Sequence, residues 1–366
     1  MNREEKHSVT LMQFIFLIHG VQLATGVLSL PRELAEKSGT DGWMSLLLGY
    51  LINLVVSILM IYTLKRFPGQ TLYGLLVQLF GKWAAKIAII PWIAYFAYSS
   101  WLVQVKTALY IQAWFLPSIR KYILIVLFAI PSFMLVRHGW KALGRYAELV
   151  FYMSIWMPFF MLLPLKDSSW IHLLPLFKDG FGPIISGVGT TIFSLLGFEI
   201  TLFLYPYLQN KEKAVRGVVI ANTLTFLAYL FVTLVCFSYF SPDEITVYHQ
   251  PVLSLLKVIE FRFLERVDMI FLSIYLFIVS TSWIPYLFCA SFSTSLLLGK
   301  RRHALFAAFF LLLFIVVTFV LQPSWIEVQR WTKWSSQVAL ALAYFFPVLL
   351  WLYVQVYLKV RKGNTT

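Results

Sequence analysis

"GVQLATGVLSLP", residues 20–31, lies in the first long apolar stretch of the chain. Thr25, Gly26 and Ser29 occupy its middle, and Pro31 follows. These are poor helix formers, placed where a membrane helix has no water to replace a lost backbone hydrogen bond. Irregular backbone at that depth is tolerated where it is buried in protein or lines a cavity. The stretch therefore reads as an interrupted helix.

The membrane setting follows from composition. Of 366 residues, 60% are hydrophobic and 13% charged, and mean hydropathy is +0.78. Soluble domains carry about 25% charged residues. Ten apolar runs are marked as spans: 10–30, 43–64, 87–115, 121–137, 146–165, 183–207, 214–240, 268–291, 304–322 and 336–357. Most are long enough to cross a hydrocarbon core of about 30 Å as helix. The charged start "MNREEKHSV" precedes a segment too long for a signal-peptide core, so a cleaved leader is not expected.

The net charge of +14 is a matter of topology. With the N-terminus inside, the inner segments carry eighteen of the 30 Lys and Arg, including Arg3, Lys6, Lys65, Arg66, Arg137, Lys211 and Arg301. This excess predicts that both termini lie inside. No dense basic block or nucleic-acid module accompanies the charge, so no nucleic-acid partner is expected. The connection at about 241–267 lies outside on this topology. It spaces Val252, Leu255, Leu256, Ile259 and Phe263 as an amphipathic helix, either at the interface or packed as an extracellular cap.

Span six repeats the anomaly of span one. "GVGTTIFSLLGFEITLFLYPY" holds Thr190, Thr191, Ser194, Gly197 and Glu199, with Pro206 near its end. A division near residue 170 leaves five spans on each side, and an odd number forces opposite orientations. The interrupted helix is the first of each half, 1–170 and 171–366. Paired interruptions at corresponding positions point to an inverted-repeat transporter fold with its site at mid-membrane. The expected fold is all-α, with ten transmembrane helices in two inverted repeats.

Glu199 is the single carboxylate well inside a span, which makes it a functional candidate and a candidate proton carrier. Lys106 is the single base there, read as a structural partner or a snorkelling side chain. Tyr95, Ser99 and Leu102 share one face of span three, and Ser282 and Tyr286 one face of span eight. Thr10, Asn53, Asn222 and Thr223 read as helix-packing residues. Cys236 and Cys289 lie in apolar runs, and six histidines show no ligand spacing, so no disulfide, metal or cofactor is expected. No phosphate-binding loop or hydrolase constellation occurs, and an enzyme is not expected.

"TGVLSLPREL", "FPGQTLYGLLVQLFGKW", "LLGFEITLFLYPYLQNKEKA" and "FLERVDMIFLSIYLFIVSTSW" fall in order along the chain. In these pieces it resembles the spore germination permease family, the B-type membrane subunit of germinant receptors, within the amino acid/polyamine/organocation transporter superfamily. The resemblance implies a leucine-transporter-like fold in the spore inner membrane, with receptor A-type and C-type subunits as partners. It also implies a small germinant, such as an amino acid. Carried over by position, Thr25, Gly26 and Val27 match the unwound part of span one, and Leu196, Gly197 and Glu199 that of span six. Tyr95 and Ser99, with Ser282 and Tyr286, match the flanking walls. The function this implies is germinant sensing, with a proton-coupled amino acid transporter as the alternative.

Overall fold

The computed structural model describes residues 8–259, 266–300 and 302–363; Arg3, Lys6, Phe263 and Arg301 lie outside them. The first span is two helices. α1 (Leu11–Gln22) opens with a capping box, in which the Thr10 hydroxyl accepts from Gln13 N–H and the Gln13 side chain accepts from Thr10 N–H. Thr10 thus starts a helix rather than packing one against another. α1 ends after Gln22, and α2 (Gly26–Ser38) begins beyond Thr25. The break is therefore at residues 23–25, and Ser29 and Pro31, expected to contribute to it, lie within α2. Pro31 is the sixth residue of the helix, so α2 carries it without the hydrogen bond that an N–H there would make to Val27 O.

α3 (Gly42–Lys65) and α4 (Leu72–Trp114) follow. α4 begins well before the expected start of span three, and a kink at Gly81, φ +83°, joins its leading segment to the span. Then come α5 (Lys121–Val136), α6 (Trp140–Ser154) and α7 (Phe181–Ser194). α7 is followed by a helical segment, Phe198–Tyr207, inclined to it by 48°. Thr190, Thr191 and Ser194 remain helical, so this break too is narrower than the polar stretch that announces it. The chain continues through α8 (Ala214–Tyr239), α9 (Pro251–Lys257), α10 (Val267–Leu297), α11 (His303–Leu321), α12 (Trp325–Ala339) and α13 (Phe346–Gly363). A π-helical turn at Leu340–Phe345 joins the last two.

Among the described residues, seven helical runs are long and apolar enough to span a membrane, eight with the bent pair, and α1 and α5 are shorter apolar helices. Together they account for every expected span. The molecule is a multi-pass membrane protein, and its burial pattern agrees. Ile87, Ile185, Val320 and Leu349 are exposed on the perimeter, whereas Gln22, Asn53, Gln104, Glu199 and Ser282 are fully buried. Cys236 and Cys289 are free and buried.

The two broken spans form the centre. α2 packs against α7, and α1 against the start of the Phe198–Tyr207 segment, so the breaks meet. α4 and α10 form the most extensive pair and wall one side; α3 and α8 wall the other. α9 packs on α2, α8 and α10, with Val252, Leu255 and Leu256 wholly buried. Its apolar face covers the end of the bundle rather than a lipid surface. Trp114 Nε1 donates to Gln250 Oε1 (2.9 Å), and Lys257 Nζ stands 4.2 Å from the Trp114 ring centroid, tying α9 to the end of α4.

Candidate functional site

The second break is built around one glycine. Gly197 has φ +126°, a region that L side chains rarely enter, and a Cβ there would lie 2.8 Å from Gln22 N and Val21 C. Only hydrogen at this position lets the breaks touch. The turn points Gly197 N–H at Glu199 Oε2 (2.7 Å). Glu199 Oε1 accepts from Tyr95 Oη of α4 (2.7 Å) and Tyr286 Oη of α10 (2.8 Å). The carboxylate is wholly buried, and the ion pairs among the described residues, Arg32–Glu36 and Arg266–Asp268, leave it without a cation.

Burying a carboxylate costs several kcal/mol even after relaxation, and a hydrogen bond to a charged group returns about 1.5–3 kcal/mol. Three donors are therefore of the order needed to hold it.

The first break is held by its carbonyls. Tyr229 Oη from α8 lies 3.1 Å from both Gln22 O and Ser194 O, bridging the breaks. Tyr275 Oη donates to Ala24 O (2.9 Å), Gln22 Nε2 to Leu195 O (2.8 Å), and Tyr344 Oη to Ile192 O (3.0 Å). A buried amide network ties these groups to the scaffold. Asn222 Oδ1 accepts from Gln22 Nε2 (2.9 Å) and Asn53 Nδ2 (2.7 Å), and the hydroxyl that Tyr344 directs at Ile192 O also lies 3.1 Å from Asn53 Oδ1. Thr225 Oγ1 stands 3.0 Å from Gln22 Oε1 and 2.9 Å from His19 Nδ1.

Of the residues singled out in the sequence, Tyr95, Gly197, Glu199 and Tyr286 form one hydrogen-bonded cluster. Ser99 is buried one turn from Tyr95. Ser282 is fully buried, and its hydroxyl has no partner among the described residues. Thr25 is buried at the break, and a Cβ on Gly26 would meet Tyr229 Oη at 3.0 Å, which places both beside the bridging tyrosine. Val27 and Leu196 are half-buried against the core. The network through Gln22, Asn53, Asn222, Tyr229, Tyr275 and Tyr344 is an addition. Its signal was available in the sequence: side-chain amides in mid-span are costly unless bonded.

Comparison with known proteins agrees in family and in fold. A family model described as spore germination protein matches residues 8–325. Spore germination protein GerQB of Bacillus cereus is 23% identical over 98% of this chain and 98% of its own length. Among solved structures, a Na+-coupled sialic acid symporter in its substrate-bound outward-open state superposes with TM-score 0.66 at 12% identity, over 91% of this chain and 76% of that one. MhsT in complex with L-phenylalanine superposes with TM-score 0.61, also at 12% identity, over 94% of this chain and 98% of that one. The fold is the one these two proteins share, an all-helical inverted-repeat fold of the kind that the paired interruptions predict.

Proposed function

Because the chain belongs to the spore germination protein family, we propose that it is a germinant-sensing membrane subunit whose ligand enters between the two broken helices. The observation that carries this reading is the meeting of the breaks over a fully buried Glu199 that has no ion pair among the described residues. The site is made by Thr25, Gly26, Val27, Tyr95, Ser99, Leu196, Gly197, Glu199, Ser282 and Tyr286. The halves 1–170 and 171–366 are its two inverted repeats. A germinant that separates the breaks favours one arrangement of α2 and α7 over another. It does so only by its difference in affinity for the two. The change passes to A-type and C-type receptor subunits in the spore inner membrane.

Spores carrying this chain, set against a panel of amino acids, sugars and nucleosides, test the reading. A germinant response that Gly197→Val abolishes at normal protein level supports it; an unchanged response removes it. The second reading, a proton-coupled amino acid transporter, draws on the same Glu199 as its candidate proton carrier, because it is a wholly buried carboxylate at the meeting of the breaks. Uptake into proteoliposomes separates the two. Accumulation driven by a pH gradient and lost in Glu199→Gln would replace sensing by transport, whereas saturable binding without flux retains sensing.

A further inference from the structure

A second polar place lies away from the breaks, where α4, α5 and α11 have their ends together. A cavity of about 270 Å³ opens there, lined by Gln112, Arg120, Lys121, Tyr122, Thr318 and Gln322. Gln112 is in the last turn of α4 and Thr318 in the last turn of α11, while Lys121 and Tyr122 begin α5. Seventeen residues of α4 separate Gln112 from Tyr95, about 25 Å at roughly 1.5 Å per residue. The cavity is therefore at a membrane end of the bundle, not at its centre.

Its lining carries two positive charges and no negative one. Neither Arg120 nor Lys121 joins an ion pair among the described residues, where the pairs are Arg32–Glu36 and Arg266–Asp268. Glu327, the acidic residue nearest to Gln322 in the chain, is committed to Ser324, whose N–H and hydroxyl both reach Glu327 Oε2 (2.8 and 2.7 Å). The backbone adds charge of the same sign. α5 starts with no side-chain cap, and Ile123 N–H turns back to Arg120 O (3.0 Å), so the N–H groups of Lys121 and Tyr122 stay open to an acceptor. Such amides favour an anion, and guanidinium and ammonium groups beside them suit phosphate oxygens. Thr318 only closes the wall, because its hydroxyl accepts from Trp101 Nε1 (2.9 Å) and donates to Phe314 O (2.7 Å).

The surface next to the cavity indicates where that phosphate comes from. α5 and α11 pack along each other, with the Tyr122 and Phe319 rings 5.2 Å apart at the cavity's edge. From there into the membrane, Ile123, Leu127 and Ile130 make an exposed stripe on α5, and Phe319, Val316 and Leu312 make one on α11. A basic cavity between membrane helices, continuous with apolar stripes, matches a lipid with its headgroup in the cavity and its chains along the stripes. A choline headgroup fits poorly, since its ammonium would meet two cations and no lining carboxylate. We infer that the cavity is a headgroup site for an anionic phospholipid, its phosphate held by Arg120, Lys121 and the first amides of α5. The site stands or falls independently of germinant sensing.

Native mass spectrometry of the delipidated full-length chain in detergent tests it, with phosphatidylglycerol, phosphatidylcholine and inorganic phosphate as probes. Phosphatidylglycerol is expected to bind more tightly than phosphatidylcholine by about tenfold or more. Arg120→Gln/Lys121→Gln should weaken phosphatidylglycerol by about tenfold or more and leave phosphatidylcholine within about threefold. Arg120→Lys/Lys121→Arg keeps both charges and should hold phosphatidylglycerol within about threefold. Lys82→Gln/Lys86→Gln removes two exposed charges near the other end of α4 and should also stay within about threefold. Equal binding of the two lipids overturns the site, as does a loss in Arg120→Gln/Lys121→Gln no greater than in Lys82→Gln/Lys86→Gln. Displacement of phosphatidylglycerol by an equal concentration of inorganic phosphate assigns the cavity to a soluble anion and overturns the lipid.

Discussion

Gly197 and Gly189 sit eight residues apart in the same broken span, yet alanine should have opposite effects at the two. At Gly197 an added Cβ meets backbone at 2.8 Å from a φ of +126°, so both the contact and the conformation resist it. A residue forced into a sparse region costs about 1–3 kcal/mol. Gly197→Ala should therefore lower the thermal midpoint of the purified chain measurably. At Gly189, inside α7, the position faces open space, and alanine should be neutral or stabilising by about 0.5–1 kcal/mol. A different expectation attaches to the donors of Glu199. Tyr95→Phe leaves a buried carboxylate short of one hydrogen bond and should cost about 1–3 kcal/mol. In a Glu199→Gln background the same change should cost much less, because the charge it served is gone. Equal costs in the two backgrounds would show that the hydroxyl does not serve the charge.

The broken helices were the most legible elements, because a run of small and polar residues inside an apolar stretch has few other uses. Their limits were less legible. Ser29, Pro31, Thr190 and Thr191 belong to the same polar runs as the breaks but are helical. Thr191 Oγ1 reaches Ser45 O on α3 (3.1 Å), and a Cβ on Gly49 would fall 2.0 Å from that hydroxyl oxygen. Gly49 and Thr191 are therefore one contact between α3 and α7. Gly49→Ala should destabilise by about 1–3 kcal/mol, and the Gly49→Ala/Thr191→Gly pair should cost less than the sum of its single changes. The π-helical turn at Leu340–Phe345 had no signal, because "LALAYF" suits an α-helix equally well. Its effect is to bring Tyr344 to Asn53 and Ile192, a tertiary fact that local sequence does not carry. Asn53 and Asn222 read as packing residues for the same reason: the chain order gives no hint that they converge on Gln22.

Taken whole, the molecule has its breaks at the centre and one end closed by α9. That closure hangs on few groups, chiefly the Trp114 hydrogen bond and ring contact and the burial of Leu255 and Leu256. Trp114→Ala should speed amide exchange in residues 251–257 by about tenfold, from the loss of one hydrogen bond and one cation–π contact, and leave α4 and α10 protected. Exchange rising equally across the bundle would show that α9 is not a separate unit. The wider arrangement was readable in the sequence because membrane burial imposes it on every span; the tyrosine and amide bonds at the centre were not, because they depend on which spans face each other. Those bonds have a further consequence. Tyr229, Tyr275, Tyr344 and Gln22 already occupy the carbonyls that the breaks set free, so any ligand that used them would first have to displace these donors. If the closed form outweighs the receptive one by about a hundredfold, half-saturation rises by the same factor. On the germinant-sensing reading proposed above, that factor would be a concentration threshold written into the resting geometry.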